Sequence, residues 1–575
     1  MLLRVRIVVA WVATLLGLTL LGLGLLLPHT DLWRIQLLLG LWLLSLLPRL
    51  WLTQRPPVGL ATARLTLVCC LGFAAVGLQL IREQITQAST TRARVADLRQ
   101  VVAQPEQSSA LRPADRTALG SGRLWPVAST LITRGQILDR NGIVLATTQN
   151  GRRLYPNPDL GQIVGFQSRL YGSSGLEASY DAALSGATAI SPTKLLEAQL
   201  LGTTPPVVQG ADLVLTLDSG LQQVAQQALG ERPGAVVLLD TQTGAILALA
   251  SYPRFDPNLL VLPATANQAE VDQVQAAWNA LISNPNSPLL NRATQGRYPP
   301  GSVIKTLTAA AALDAQVLPG PEGQVTCPNR LTTENGAPPV RNAVENLAQR
   351  TGDPSDLNRV FAFSCNTAFA QLGLGLGPEH FADYAARFGL NYADAPPSAA
   401  DLREVPTEVG TIANTAAFLA RPVALADTAF GQGQALVTPL DMARMVAVIA
   451  NDGALLRPFL VQAVRAGAQE QYTAQPAVVR QVLLPESARQ MRLVMQRSVE
   501  VGYAAPVALP GVTIGAKTGT AETGTGAPHS WFVAFAPVEQ PRFAIAVIVE
   551  QGGEGSKVAL PVARTVLATA LGVQP

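Results

Sequence analysis

The sequence predicts an α+β protein: an antiparallel five-stranded sheet covered by helices, with a helical subdomain. Three observations carry this expectation. Residues 235–239 and 245–250 are β-rich runs joined by Asp240-Thr241-Gln242-Thr243-Gly244, the pattern of a hairpin around a turn. Three more β-rich runs, 512–518, 531–536 and 543–549, lie near the C-terminus and are followed by a helical stretch at 558–571. Between the two sets, residues 302–500 are mostly helical in texture. A hairpin, a helical insert, three strands and a closing helix make one sheet layered with helices.

The 575 residues are enough for several domains and a large core. A formal net charge of +3 gives no reason to expect nucleic-acid binding. Mean hydropathy is +0.24, and the apolar excess sits at the N-terminus. Residues 7–27 are long and apolar enough to cross a bilayer, and two further stretches, roughly 33–52 and 60–81, follow. Arg4 and Arg6 precede the first stretch and no small-x-small cleavage site follows it, which favours an uncleaved span over a signal peptide. Arg49, Arg55 and Arg64 place the connection between the last two stretches inside, so three crossings put everything after residue 82 outside the cytoplasm. Residues 1–82 are therefore expected to be a membrane region. Residues 83–123, polar and punctuated by proline, read as a juxtamembrane helix and linker.

In the next block Asp139-Arg140-Asn141-Gly142 between apolar runs signals a hairpin turn. A strand at 212–217 and a short helix at 220–229 follow. The division expected is 124–232 for this block and 233–575 for the sheet-and-helix domain.

Chemistry is concentrated downstream. In Tyr298-Pro299-Pro300-Gly301-Ser302-Val303-Ile304-Lys305, prolines and a glycine break the preceding structure. A breaker-free run then begins, so a helix is expected to start at Ser302. Residues three apart share a helix face, which sets the Ser302 hydroxyl beside the Lys305 amine. Alone, this is an ordinary helix start. Lysine is scarce, however: of 42 Lys+Arg residues only Lys194, Lys305, Lys517 and Lys557 are lysine. Its amine can be deprotonated in a buried site, whereas arginine stays charged. Ser364-Cys365-Asn366 follows Ser302 by 62 residues (364−302), and Lys517-Thr518-Gly519-Thr520 follows Ser364 by 153 (517−364). His29, His380 and His529 are scattered, so neither a serine–histidine triad nor a metal site is supported, and no cofactor is expected.

Ser-x-x-Lys, Ser-x-Asn and Lys-Thr-Gly in this order resemble the penicillin-binding protein and serine β-lactamase superfamily. Residues 134–142, Tyr155-Pro156 and 175–181 look like the N-terminal pedestal of class B penicillin-binding proteins, of the short kind seen in penicillin-binding protein A, and free β-lactamases have no pedestal. The resemblance covers roughly 125–575 and implies the transpeptidase fold.

It also implies acyl transfer. Ser302 would attack the carbonyl between the last two D-alanines of a peptidoglycan stem peptide, expel D-alanine and form an acyl-enzyme; β-lactams would be trapped the same way. Lys305 would take the serine proton, provided desolvation and the charge of Lys517 lower its pKa. By analogy Ser364 would pass a proton to the leaving amine, and Asn366 would bind Lys305 and the substrate backbone. Lys517 and Thr518 would hold the terminal carboxylate, and Gly519 would allow the substrate backbone to approach. The backbone N–H groups of Ser302 and Thr520 would form the oxyanion hole.

No Glu-x-x-Leu-Asn-like segment lies between Asn366 and Lys517 to activate a deacylating water, so a neighbouring stem peptide is the expected acceptor and a cross-link the product. The resemblance further implies a SEDS-type glycosyltransferase partner in the membrane. Rival readings are a membrane β-lactam sensor, a D,D-carboxypeptidase and a β-lactamase on the same fold. Cys69 and Cys70 read as apolar filler of the third span. Cys327 and Cys365 either pair or remain two buried free thiols.

Overall fold

The structure is a computed structural model that describes residues 132–186, 208–263, 265–395, 402–524 and 526–574. The three apolar stretches and the linker expected within 1–123 lie outside these, as does Lys194. Among the described residues no helix is long and apolar enough to cross a membrane.

The N-terminal part contributes strands β1 (Ile137–Leu138), β2 (Val144–Gln149), β3 (Arg152–Leu154) and β4 (Asp212–Leu215), then helix α1 (Ser219–Leu229). The Asp139-Arg140-Asn141-Gly142 turn joins β1 to β2 as expected, and Asp139 Oδ1 closes it by accepting the N–H groups of Asn141 and Ile143. Three separated phrases of this block meet at Glu177. Its fully buried carboxylate takes Arg134 Nε and Arg153 Nε, each at 2.6 Å, while Arg134 Nη1 also reaches Asp181 at 2.6 Å. A buried carboxylate needs such partners to stay charged.

The central sheet is built from β5 (Gly234–Asp240) and β6 (Ile246–Tyr252), then, far along the chain, β9 (Gly515–Ala521), β10 (His529–Ala536) and β11 (Phe543–Val549). Its order is β6-β5-β11-β10-β9, antiparallel throughout. This is the five-stranded sheet the sequence predicts. On β11, Phe543, Ile545, Val547 and Val549 pack with α1 and the terminal helix α8 (Ala559–Leu571), whereas Ala544, Ala546 and Ile548 face the helical subdomain. Both faces are dry, so the strand reads as an unbroken apolar run.

The subdomain contains α2 (Lys305–Asp314), α3 (Leu357–Ala362), α4 (Asn366–Arg387), α5 (Pro422–Phe430), α6 (Pro439–Ala450) and α7 (Pro485–Val501). The longest strands within 302–500 depart from its helical texture: β7 (Val461–Ala466) and β8 (Gln469–Thr473) form a hairpin. Strand β7 pairs back onto β4, giving a six-stranded sheet β8-β7-β4-β1-β2-β3 that joins the N-terminal block to the rest. Glu404 fixes the start of β7, its carboxylate accepting the N–H groups of Leu460 and Val461, and it also accepts the hydroxyl of Tyr180 from the N-terminal block. Strand β9 is left at one edge of the central sheet, facing the start of α2.

Candidate active site

The predicted helix does not start at Ser302. Gly301–Ile304 forms a 3-10 turn, and the α-helix begins at Lys305. Gly301 has φ +53°, and a Cβ there would come within 2.6 Å of the Thr520 carbonyl oxygen, so the turn is pressed against β9. The tighter turn keeps Ser302 three residues ahead of Lys305, the spacing at which side chains of a 3-10 turn eclipse. Ser302 is half-buried, whereas Lys305 is fully buried.

The Lys305 amine meets the second motif. Its Nζ lies 2.6 Å from Asn366 Oδ1, 2.8 Å from the Ser364 carbonyl and 3.0 Å from Ser364 Oγ. Ser364 precedes α4 with φ +58°, a conformation uncommon for a non-glycine residue. Its hydroxyl also accepts from Lys517 Nζ at 3.0 Å, so one oxygen bridges the two amines. Lys517 reaches in from β9 and donates to the Thr518 carbonyl at 2.8 Å. The Phe369 and Phe361 rings lie 5.6 Å from the Lys305 and Lys517 nitrogens respectively.

Burial dominates the electrostatics. It pushes the Lys305 amine well below the usual lysine range, and the neighbouring Lys517 charge pushes the same way. Burial also brings Lys517 down to about 7. Both effects act in the direction that favours the deprotonated amine at Lys305, the form that can accept a proton.

Of the eight residues expected at the site, Lys305, Ser364, Asn366 and Lys517 are joined by direct contacts, and the turn bearing Ser302 packs against the part of β9 that carries Gly519 and Thr520. Thr518 is buried on β9 with its carbonyl on Lys517, and Thr520 is exposed at the strand's end. The structure gives Gly519 a reason different from substrate approach: a Cβ would fall 2.8 Å from Val303 Cγ1 and 2.9 Å from Trp531 Cβ. The glycine lets the serine-bearing turn seat on the strand. Cys327 and Cys365 form a disulfide, so the middle residue of Ser364-Cys365-Asn366 is tied to a neighbouring loop.

Two contributors escaped the sequence reading. Gly431 ends α5 with φ +102°, and its Cβ would sit 1.9 Å from the Gly301 carbonyl oxygen. Gly431→Ala is expected to cost about 1–3 kcal/mol from its backbone conformation and to displace the Ser302 turn; thermal unfolding and acylation rate should both fall. Unchanged values for both would remove Gly431 from the site's support. Trp531 is the second, donating its indole N–H to the Pro299 carbonyl at 3.0 Å. Nothing local marks either residue, because the partners come from distant parts of the chain.

A half-buried serine three residues before a buried lysine of lowered proton affinity, with a hydroxyl shared by two lysines beside an edge strand, fits a serine acyltransferase. Comparison with known proteins agrees. Residues 234–568 match the penicillin binding protein transpeptidase domain and 134–209 the penicillin binding protein A dimerisation domain. The chain is 36% identical over 460 residues to the peptidoglycan D,D-transpeptidase PbpA of Mycolicibacterium smegmatis, covering 76% of this chain and 89% of that one. It is 35% identical to PbpA of Mycobacterium tuberculosis, covering 77% and 90%. Among solved structures, the imipenem acyl-enzyme complex of M. tuberculosis penicillin-binding protein A superposes with a TM-score of 0.67 at 33% identity, over 77% of this chain and 100% of that one. The chain belongs to the penicillin-binding protein transpeptidase family.

Proposed function

We propose that this chain is a peptidoglycan D,D-transpeptidase in which Ser302 carries the acyl group, Lys305 removes the serine proton, and Ser364 relays a proton to the leaving amine. The observation that carries the reading is the buried pair of lysines sharing the Ser364 hydroxyl, with Lys305 directly following the turn that bears Ser302. A buried amine of lowered proton affinity, three residues from the serine, supplies the base that a hydroxyl nucleophile needs. Asn366 orients Lys305 through its Oδ1 and is itself fixed by its Nδ2 on the Arg341 carbonyl at 2.9 Å. Lys517, with Thr518 and Thr520 on the strand edge, receives the substrate's carboxylate. The backbone N–H groups of Ser302 and Thr520 take the oxyanion. D-alanine leaves, and the amine of a second stem peptide attacks the acyl-enzyme to form the cross-link. β-Lactams, named as ligands in solved relatives, acylate the same serine.

The apolar stretches before residue 82 support a multi-pass location in the bacterial cell membrane, with 83–123 as linker, 124–232 as pedestal and 233–575 as transpeptidase domain outside the cytoplasm. In that setting a SEDS-type glycosyltransferase is the proposed partner.

Peptide mapping after incubation with a fluorescent penicillin tests the site. A single adduct on the peptide bearing Ser302, persisting for hours, is the expected result. An adduct on another residue would overturn the assignment of Ser302, and turnover within seconds would indicate a β-lactamase. Incubation with stem peptides should yield cross-linked dimers; trimmed monomers alone would indicate a carboxypeptidase.

A further inference from the structure

The oxyanion hole proposed above draws on two separate elements, the Ser302 turn and strand β9. Its span is set by whatever ties one element to the other, and Trp531 is placed to do this. In the β9–β10 register Trp531 stands opposite Gly519, between the Ser530–Thr520 and Phe532–Thr518 pairs. Its backbone is therefore part of the ladder that fixes Thr520. Its side chain is fully buried and leaves the sheet towards the turn, where Nε1 donates to the Pro299 carbonyl at 3.0 Å. Pro299 lies three residues ahead of Ser302, and neither Pro299 nor Pro300 has an N–H of its own to anchor the segment.

The surroundings hold this arrangement from both sides. The Tyr298 ring meets Trp531 edge-on at 6.2 Å between centroids. Tyr298 exchanges both of its backbone hydrogen bonds with Val437, each at 2.9 Å. Its hydroxyl donates to Glu550 Oε1 at 2.7 Å, and the same oxygen takes Arg292 Nε at 2.7 Å. The indole is thus clamped between β9 and a rigid approach to the nucleophile.

We propose that Trp531 is a positioning residue for acylation: its indole N–H, through the Pro299 carbonyl, sets the Ser302 turn at the distance from Thr520 that the oxyanion hole requires. The proposal rests on the reading of Ser302 as nucleophile. A displacement of about 1 Å between groups that must act together costs on the order of 100-fold in rate, so loss of one directional tie is expected to slow acylation about 10- to 100-fold. Recognition of the ligand before the covalent step should be preserved, because Lys517 and the edge of β9 are untouched.

The test is pre-steady-state acylation of the full-length protein by a fluorescent penicillin, resolving the pre-covalent dissociation constant from the acylation rate constant and counting competent sites by the labelled fraction. Trp531→Phe removes the N–H. Site-specific 3-benzothienylalanine at 531 keeps the bicyclic shape with sulfur in place of N–H, and it decides the matter if the phenylalanine variant does not fold. The expected result is a rate constant lowered about 10- to 100-fold, with the dissociation constant and labelled fraction near wild type. A wild-type rate constant in the competent fraction, or an effect confined to the dissociation constant, would overturn the proposal. Ser302→Ala runs alongside: labelling that survives in that variant overturns the nucleophile, whereas its loss together with wild-type rates in the two 531 variants overturns the positioning role alone.

Discussion

Lys305→Met is expected to slow acylation by about 10²–10⁴-fold, the range set by losing a positioned general base. The substitution keeps an unbranched side chain of similar length, so the loss reports on the amine. Lys305 Nζ has no exposure, and Asn366 Oδ1, Ser364 Oγ and the Ser364 carbonyl surround it. Burial and the Lys517 charge together hold it well below the usual lysine range, which is what a base acting near neutrality needs. The pH profile follows from the same pair. In the free enzyme the second-order acylation constant should rise with pH as Lys305 loses its proton. It should then fall through about 7 as Lys517 loses the charge that receives the carboxylate. With an anionic β-lactam bound, the opposite charge favours protonated Lys517, so the basic limb of the saturated rate constant should move above 7. Stopped-flow acylation across pH checks both. A Lys305→Met variant within a few-fold of wild type would mean that another group takes the serine proton, and a profile flat through 7 would mean that the Lys517 charge is not needed.

The site was legible in the sequence because acyl transfer demands residue types that few other roles need. In a chain that uses arginine for most positive charge, Lys305 and Lys517 stood out, and their motifs named Ser302, Ser364, Asn366, Thr518, Gly519 and Thr520. Strand β11 was legible to the residue because both of its faces are buried, which leaves no polar position to blur its ends. The 3-10 turn was not legible. It depends on Gly301 being pressed between the Thr520 carbonyl and Gly431, contacts that no local pattern encodes. The β7–β8 hairpin stayed hidden within a mostly helical region because its reason for being is its pairing with β4, which lies far earlier in the chain. Propensity is a local signal, and these are features that tertiary pairing decides.

The disulfide was an open alternative in the sequence, and it leads to the largest expected effect on stability. Cys327→Ser should lower the unfolding free energy by about 2–5 kcal/mol, the usual cost of removing a native disulfide. The bond closes a loop with a sequence separation of 38, for which chain entropy alone accounts for about 4 kcal/mol. What it closes is the wall behind the active site. Asn342 Oδ1 accepts the Thr367 N–H at 3.1 Å, Asn342 Nδ2 donates to the Pro328 carbonyl at 3.0 Å, and Thr367 Oγ1 donates to that carbonyl at 2.8 Å. These bonds and the disulfide fasten the 327–342 loop to the first turn of α4, directly behind Ser364 and Asn366. Acylation should therefore fall with stability, since Ser364 holds a backbone conformation that its surroundings must impose. Denaturant unfolding and penicillin labelling, each run with and without reductant, separate the outcomes. Reductant should bring wild type down to the level of Cys327→Ser and leave the variant unchanged. A variant as stable as wild type without reductant would mean that the hydrogen bonds of Asn342 and Thr367 hold the loop by themselves.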